Sequence, residues 1–509
     1  MRLPTTLPKS LMALGSGLGL VALLPAAQAF AAASVNKGDT SWMLTATALV
    51  VLMTIPGLAL FYGGLVRSKN VLSVLMQVTI CFCLISVLWV TYGYSLAFTN
   101  GNGFIGGFSK LFLSGVNISS MAATFSKETY IPEFAYIIFQ LTFAAITPAL
   151  IVGAFAERMK FSAVVLFLVI WFTFSYLPMA HMVWWWAGPD AYTLSAANID
   201  AVKAAVGESA AADFLAKLAA AATDADKASV FSAYNDAVNT ANGWLFNKGA
   251  IDFAGGSVVH INAGIAGLVC ALMLGKRVGL GKEVMAPHNL TVTLLGTGLL
   301  MFGWFGFNAG SNLEANGLTA LALLNSILGA AGAMLTWTLG EKLIRGHASL
   351  LGGASGVVAG LVAITPACGW VGPMAAIIIG AAAGIICLFA VIWLKAKLGY
   401  DDALDVFGVH GVGGILGALL TGVFVNPGLL GGMGVTNYLA GDTSTSLVEY
   451  SFSGQMTAQI YGIVTAIVLS AVVSFVALLI CKYTVGLRVD EQSEREGLDI
   501  SSHGERAYS

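Results

Sequence analysis

The sequence is 509 residues long, with 57% of residues hydrophobic and 10% charged, and its mean hydropathy is +0.83. Soluble domains carry roughly 25% charged residues, a gap too wide for a large core to explain, so the chain reads as a membrane protein. A formal net charge of −2 gives no bulk attraction for nucleic acid or for an acidic partner, and no nucleic-acid role is expected.

The chain opens with MRLPTTLPKSLMALGSGLGLVALLPAAQA, in which Arg2 and Lys9 precede a short apolar run ending in small side chains. This pattern predicts a cleaved secretory signal over residues 1–31 rather than a twelfth membrane helix, leaving the mature N-terminus outside the cytoplasm. Beyond it, apolar windows of about 20 residues fall near 41–66, 72–98, 133–156, 161–184, 253–274, 289–310, 318–340, 348–366, 373–394, 404–425 and 456–481. The expected fold is therefore an all-α polytopic membrane protein with eleven transmembrane helices in a domain spanning 32–481.

Basic residues sort the connections. Arg67 and Lys69, Arg158 and Lys160, Lys276, Arg277 and Lys282, Lys342 and Arg345, and Lys395 and Lys397 occupy alternate loops, while the loops after spans six, eight and ten have none. The positive-inside rule puts the basic loops in the cytoplasm, and the odd number of helices puts the tail, 482–509, there too. The one long connection, 185–251, is alanine-rich with mixed charge; it reads as a solvated extracytoplasmic insertion with one or two short surface helices. Cys81, Cys83, Cys270, Cys368, Cys387 and Cys481 lie in or beside apolar segments without zinc-ligand spacing, so they read as small core residues.

Two segments look like copies: IDFAGGSVVHINAGIAGLV at 251–269 and LDVFGVHGVGGILGALL at 404–420. Each has an aspartate near its start, Asp252 and Asp405, then a histidine, His260 and His410. Each ends in the same His-x-x-x-Gly-Ile-x-Gly tail. The first opens span five and the second span ten, so they cross the bilayer in opposite directions, predicting a five-plus-five inverted repeat with a terminal eleventh helix. At ~1.5 Å per residue His260 lies ~12 Å inward and His410 ~10 Å inward, from opposite faces. A lone membrane histidine is usually a satisfied packing residue, but two at related positions of an inverted repeat point to the transport path. The glycine-rich runs GIAGLV, LLGGASGVVAG, GAAAG and HGVGGILGALL read as faces for close helix packing.

Near the outer ends of spans three, four and six stand Phe139, Gln140 and Phe143, Trp184, and Phe307 and Ser311. Singly each aromatic reads as interfacial belt or core; together they form a candidate aromatic cage with a hydroxyl, which attracts a small cation without a full negative charge. His181, close to Trp184, reads as structural.

IPGLALFYGGLVRSKNVLSVLMQ (55–77), IVGAFAERMKFSAVV (151–165), DFAGGSVVHINAGIAGLV (252–269), GWFGFNAGS (303–311), TPACG (365–369), DVFGVHGVGGI (405–415) and VGLRVDEQSEREGLDISSHGERAY (485–508) together resemble the Amt branch of the Amt/Rh ammonium transporter family, of bacterial type. The resemblance implies a homotrimer in the inner (plasma) membrane with one conduction path per subunit, carrying ammonium or ammonia with methylammonium as an analogue, and no cofactor. It implies an outer recruitment site and stacked gate at Phe139, Phe143, Trp184, Phe307 and Ser311, paired pore histidines at His260 and His410, and a supporting aspartate at Asp252. It also implies a tail that engages a P-II signalling protein, although EQSEREGLDISSHGERAY by itself also reads as a polar, partly disordered terminus. The chain departs from the family pattern in the 185–251 insertion and in Trp185 and Trp186, which stand where small residues are expected after the site tryptophan.

Elementary energetics favours the same route. Carrying a bare cation through an apolar pore costs tens of kcal/mol on an idealised Born estimate. Neutralising an amine of pKa ~10.4 at pH 7 costs roughly 4 to 5 kcal/mol. Ammonium has a proton to lose and potassium has none. The reading is therefore NH4+ binding in the cage, deprotonation near the gate, and NH3 passing two imidazoles that offer donor, acceptor and proton relay. An Rh-like gas channel is the nearest alternative. A membrane ammonium sensor is disfavoured, since only about 25 residues follow the last helix. An intramembrane metalloenzyme is disfavoured by the lack of a His-Glu-x-x-His pattern and by the single acidic residue in each histidine's segment, and no enzymatic activity is expected.

Overall fold

The computed structural model describes residues 34–436 and 447–508, so the signal reading for 1–31 lies outside the described residues. Ten long apolar helices are present among them: Lys37–Leu65 (span one), Ser68–Phe98 (two), Glu133–Phe155 (three), Phe161–Trp184 (four), Gly256–Leu274 (five), Leu290–Gly310 (six), Gly317–Arg345 (seven), Pro373–Leu398 (nine), Phe407–Phe424 (ten) and Phe452–Thr484 (eleven). Leu350–Ile364 is a shorter apolar helix and supplies span eight. Its 15 residues reach only ~22 Å, because the chain turns at TPACG, and most of its side chains are buried in protein.

Polar residues fix where the helices begin. Asn36 accepts hydrogen bonds from Gly38 N and Asp39 N ahead of span one, and Asn289, Asn316, Ser349 and Ser451 cap spans six, seven, eight and eleven in the same way. The helices therefore extend past the apolar windows into capped polar turns. Span seven ends at Arg345 with Lys342 and Arg345 in its last turn, where cations suit the helix dipole. Glycine sets the tightest packing. A Cβ on Gly360 or on Gly380 would overlap Gly329 O, so spans eight and nine both close onto the backbone of span seven.

At one end of the bundle the basic loops meet. Glu157 pairs with Arg67 at 2.7 Å and Arg277 at 3.4 Å, and Arg277 pairs with Asp401 at 2.9 Å. Burial alone would raise the Glu157 carboxyl, but the Arg277 and Arg67 guanidiniums outweigh it and hold it below the usual carboxylate range. The tail is folded onto the same end through two short helices, Glu491–Glu496 and Leu498–His503. Glu494 pairs with Arg488 at 2.6 Å and accepts from Val278 N at 2.6 Å, Asp499 accepts from Ser73 N at 2.8 Å, and Asn70 accepts from Leu498 N at 2.8 Å. The tail thus straps the start of span two to the loop after span five, and a disordered terminus does not describe it.

The opposite end carries the insertion and three two-stranded antiparallel ribbons, registered as Gly101↔Gly106, Met121↔Pro132 and Val435↔Val448. The insertion holds three principal helices rather than one or two: Ile199–Val206, Glu208–Ala220 and Asp224–Ala241. Gly207, at φ 83°, breaks the first from the second, and a Thr223–Asp226 capping box starts the third. These helices bury a small core of their own around Val202, Ala211, Tyr234 and Val238, separate from that of the spans. Asp190 ties the insertion to the ribbon loop, accepting from Tyr130 Oη at 2.6 Å and from Glu128 N at 3.1 Å.

Candidate conduction site

Span five begins on a saturated carboxylate. Asp252 Oδ1 accepts from Gly255 N (2.9 Å) and Gly256 N (2.5 Å), and Oδ2 accepts from Ser257 N (2.8 Å), Ser257 Oγ (2.5 Å) and Val258 N (3.2 Å). Gly255, at φ 111°, supplies the left-handed turn that lets these N–H groups converge. Free N–H groups at a helix start favour negative charge, and here one side chain satisfies four of them. A wide π-turn, Gly256–Ile261, then delivers His260, and a 13-residue α-helix completes the span.

Span ten repeats the plan from the other end: the π-turn Phe407–Gly411 delivers His410, and again 13 α-helical residues follow. The counterpart of Asp252 is not Asp405, the aspartate inside the matching letters. It is Asp402, which lies eight residues before His410 as Asp252 lies eight before His260, and whose Oδ2 accepts from Phe407 N at 2.7 Å. Asp405 instead pairs with Lys395 at 2.7 Å.

The two histidines meet. His260 Nδ1 and His410 Nδ1 are 3.2 Å apart, with rings inclined by 25°, and both side chains are buried. One nitrogen donates and the other accepts, so a single proton occupies the gap between them. His260 Nε2 has no protein partner. Trp304 stacks on His260 at 5.4 Å and is itself anchored by its Nε1 donating to Thr365 Oγ1 at 3.0 Å.

Above His260 the aromatic residues form a plug. Phe143 and Phe307 stack with centroids 4.1 Å apart, Phe307 lies 6.0 Å from His260, and Trp184 stands edge-on to Phe143 at 5.8 Å. Phe143, Trp184, Gln140 and Ser311 face an outer cavity of ≈ 2120 Å³, whereas Phe307 and both histidines lie outside its wall. Ser311 Oγ donates to Phe307 O at 2.8 Å, and Trp184 Nε1 donates to Asp252 O at 3.0 Å, which links the cage to the capped start of span five. Phe139 stands behind Phe143, at 5.0 Å, and packs on Gly310 rather than facing the cavity.

The cavity wall includes eight acidic and three basic side chains, a balance that favours cations at the entrance. Parts of the insertion, among them Asn198, Asp200, Lys203 and Glu208, form one side of it. Trp185 stacks on His181 at 6.0 Å, and Trp186 stacks on Phe125 at 6.0 Å and Phe246 at 5.5 Å, so both tryptophans brace the rim. His181 meets Ala97 O at 2.9 Å and Asn102 O at 2.8 Å, engagements that make it a structural residue. Among the described residues, no three His, Cys, Asp or Glu side chains converge as a metal site.

The profile described as Ammonium Transporter Family matches residues 41–508. This chain belongs to the ammonium transporter family. It is similar to the ammonium transporter of Aquifex aeolicus (strain VF5), 42% identical with 96% of this chain and 98% of that protein covered. It is also similar to that of Bacillus subtilis (strain 168), 41% identical over 93% of this chain and 99% of the relative. Among solved structures it resembles Mep2 from Candida albicans, with TM-score 0.69, 31% identity, and 90% and 87% of the two chains covered. A structure titled Sensor Amt Protein superposes with TM-score 0.71 at 25% identity, covering 92% of this chain and 98% of that one.

Within this family member, two residues escape a reading of the letters. Trp304 stands in the quoted GWFGFNAGS motif, and its place three residues before Phe307, on the same helical face, is the available signal. Asp402 is marked only by its spacing from His410.

Proposed function

We propose that this ammonium transporter recruits NH4+ at the outer cage of Phe143, Trp184 and Ser311, removes its proton at the Phe143–Phe307 plug, and conducts NH3 past His260 and His410. The observation that carries this reading is the 3.2 Å Nδ1–Nδ1 contact directly beneath the stacked rings. The cage offers π faces, a hydroxyl and the acidic wall, which stabilise a monovalent cation while it is still hydrated on one side. The plug and the buried histidines offer no fixed charge, so a cation loses hydration there without replacement, and release of a proton is the cheaper course. The histidine pair then gives NH3 a donor or an acceptor at each step and is itself a two-site proton relay. Asp252 spends both oxygens on backbone and Ser257, so its role is to hold span five and, through Trp184, the cage.

The remaining parts of the reading are, after the family, a homotrimer in the inner membrane and a P-II protein as partner of the tail, and, after the charge pattern and N-terminal letters, the insertion outside, the basic loops and tail in the cytoplasm, and a cleaved N-terminal signal. Labelled ammonium or methylammonium uptake by cells expressing the chain tests the transport reading, and absence of uptake overturns it. Currents from proteoliposomes after an ammonium jump separate electrogenic transport from passage of NH3 alone. Co-purification of a P-II protein with and without residues 485–509 tests the partner.

A further inference from the structure

The two related aspartates are spent very differently. Asp252 accepts four backbone N–H groups and a hydroxyl, leaving no oxygen free. Asp402 is fully buried, whereas Asp252 is partly exposed at the outer cavity, yet Asp402 accepts Phe407 N at 2.7 Å on Oδ2, with a weaker pull from Val406, and its Oδ1 has no partner. An orphaned carboxylate oxygen in a buried place is costly, and a proton removes that cost.

The groups facing Asp402 come from every neighbouring element: Tyr62 on span one, Arg158 after span three, Cys270 on span five, and Lys395, Tyr400 and Asp405 along its own stretch of chain. Lys395 is the nearest cation, but its ammonium is directed at Asp402 O (2.6 Å) and Asp405 Oδ1 (2.7 Å) rather than at the orphaned oxygen. Asp401 is turned away to Arg277. Burial pushes the Asp402 carboxyl up to about 6, against the pull of Lys395 and with the help of Asp405. Phe407, whose N–H Asp402 holds, lays its ring on Gly411, the residue after His410, so a shift at the cap is felt beside the imidazole.

We propose that Asp402 is a positioning residue for His410 that takes up and releases a proton from the solution at the basic end, capping span ten when ionised and loosening that cap when neutral. The exchange is a simple transfer between hydronium or water and Oδ1; no bond to carbon changes and no electron moves. Outer and inner halves thereby differ: the outer aspartate is a fixed support, and the inner one makes the pore responsive to the acidity of the compartment it faces.

The inference rests on the conduction reading above, and two measurements separate their failures. In proteoliposomes of the full chain, methylammonium uptake is followed while the pH on the basic side is varied and the other side is clamped. The wild type shows a step near pH 6, Asp402→Asn abolishes the step, and Lys395→Gln moves it up by about 1 to 3 pH units. A purely structural aspartate lowers activity at every pH and leaves the step in place, so a step that survives in Asp402→Asn, or that Lys395→Gln does not move, overturns the proposal. The second measurement is independent of transport. A carboxyl whose folded pKa lies above its unfolded value destabilises the fold as pH rises through the interval, so the melting temperature of Asp402→Asn gains on the wild type between pH 5 and pH 8. A gap that stays constant over that range overturns the proposal, whatever the uptake assay shows; absent uptake with a widening gap strikes the conduction reading alone.

Discussion

Gly264 and Gly411 bring spans five and ten into backbone contact: a Cβ on Gly264 would overlap Gly411 N, and one on Gly414 would lie 3.1 Å from Ile261 N. The relation is reciprocal, since each glycine four residues after one histidine meets the residue just after the other. That crossing fixes the separation of the two imidazoles. Gly264→Ala is expected to force the spans apart, cost about 1–3 kcal/mol of stability, and impair transport. Thermal unfolding of the purified protein, alongside methylammonium uptake, checks both effects; an unchanged melting temperature contradicts the tight crossing.

The histidine pair predicts non-additive kinetics. Truncating either ring leaves the other with a buried unpaired nitrogen, so His260→Ala and His410→Ala are each expected to lose most selective transport, and the double variant little more than either. Selectivity for ammonium over potassium, measured in proteoliposomes, is the readout. Unchanged selectivity in the double variant removes the histidines from the mechanism.

Cage and plug are separable. Trp184→Leu removes a π face and the hydrogen bond to Asp252 O, and a cation–π contribution of ~0.5–2 kcal/mol corresponds to a roughly 2- to 30-fold rise in the concentration for half-maximal uptake. Phe307→Ala, below the cavity, is expected instead to relax discrimination against hydrated cations while leaving that concentration near its wild-type value. Concentration curves with ammonium, and leak currents with potassium, distinguish the two.

Glu157 predicts an acid limit to the assembly of the basic end. Its folded pKa is depressed, chiefly by Arg277 against the effect of burial, so its contribution is present above the unfolded value of ~4.3 and fades as pH falls through the folded value. Glu157→Gln leaves Arg67 and Arg277 without their shared anion and is expected to cost about 3–5 kcal/mol at pH 7. The difference from wild type should shrink on strong acidification, which unfolding curves at several pH values measure.

The insertion has its own small core and reaches the spans through few anchors, so replacing residues 194–241 with a short polar linker is expected to leave the melting temperature of the membrane part nearly unchanged. Removing one wall of the entrance should alter apparent affinity and its ionic-strength dependence. A collapse of the whole fold on this replacement contradicts the independence of the two cores.

The spans are legible in the sequence because the bilayer demands long apolar runs with no exception for taste in packing, and even the short Leu350–Ile364 helix lies inside its 348–366 window. The histidines are legible because an inverted repeat writes the same letters twice. Asp402 is not, since letter matching selects Asp405, while the geometry of a cap depends on distance from the helix start. The three insertion helices are blurred by alanine, which carries little amphipathic signal. The tail's fold is invisible locally because its partners, Asn70, Ser73 and Val278, lie hundreds of positions upstream.

The stacked Phe143 and Phe307 rings form a barrier two rings thick, and the helix that carries Phe307 is packed closely on its neighbour through Gly303, Gly306 and Gly310. On the proposed route, admitting a solute therefore takes the turning of two buried side chains rather than the rocking of a domain.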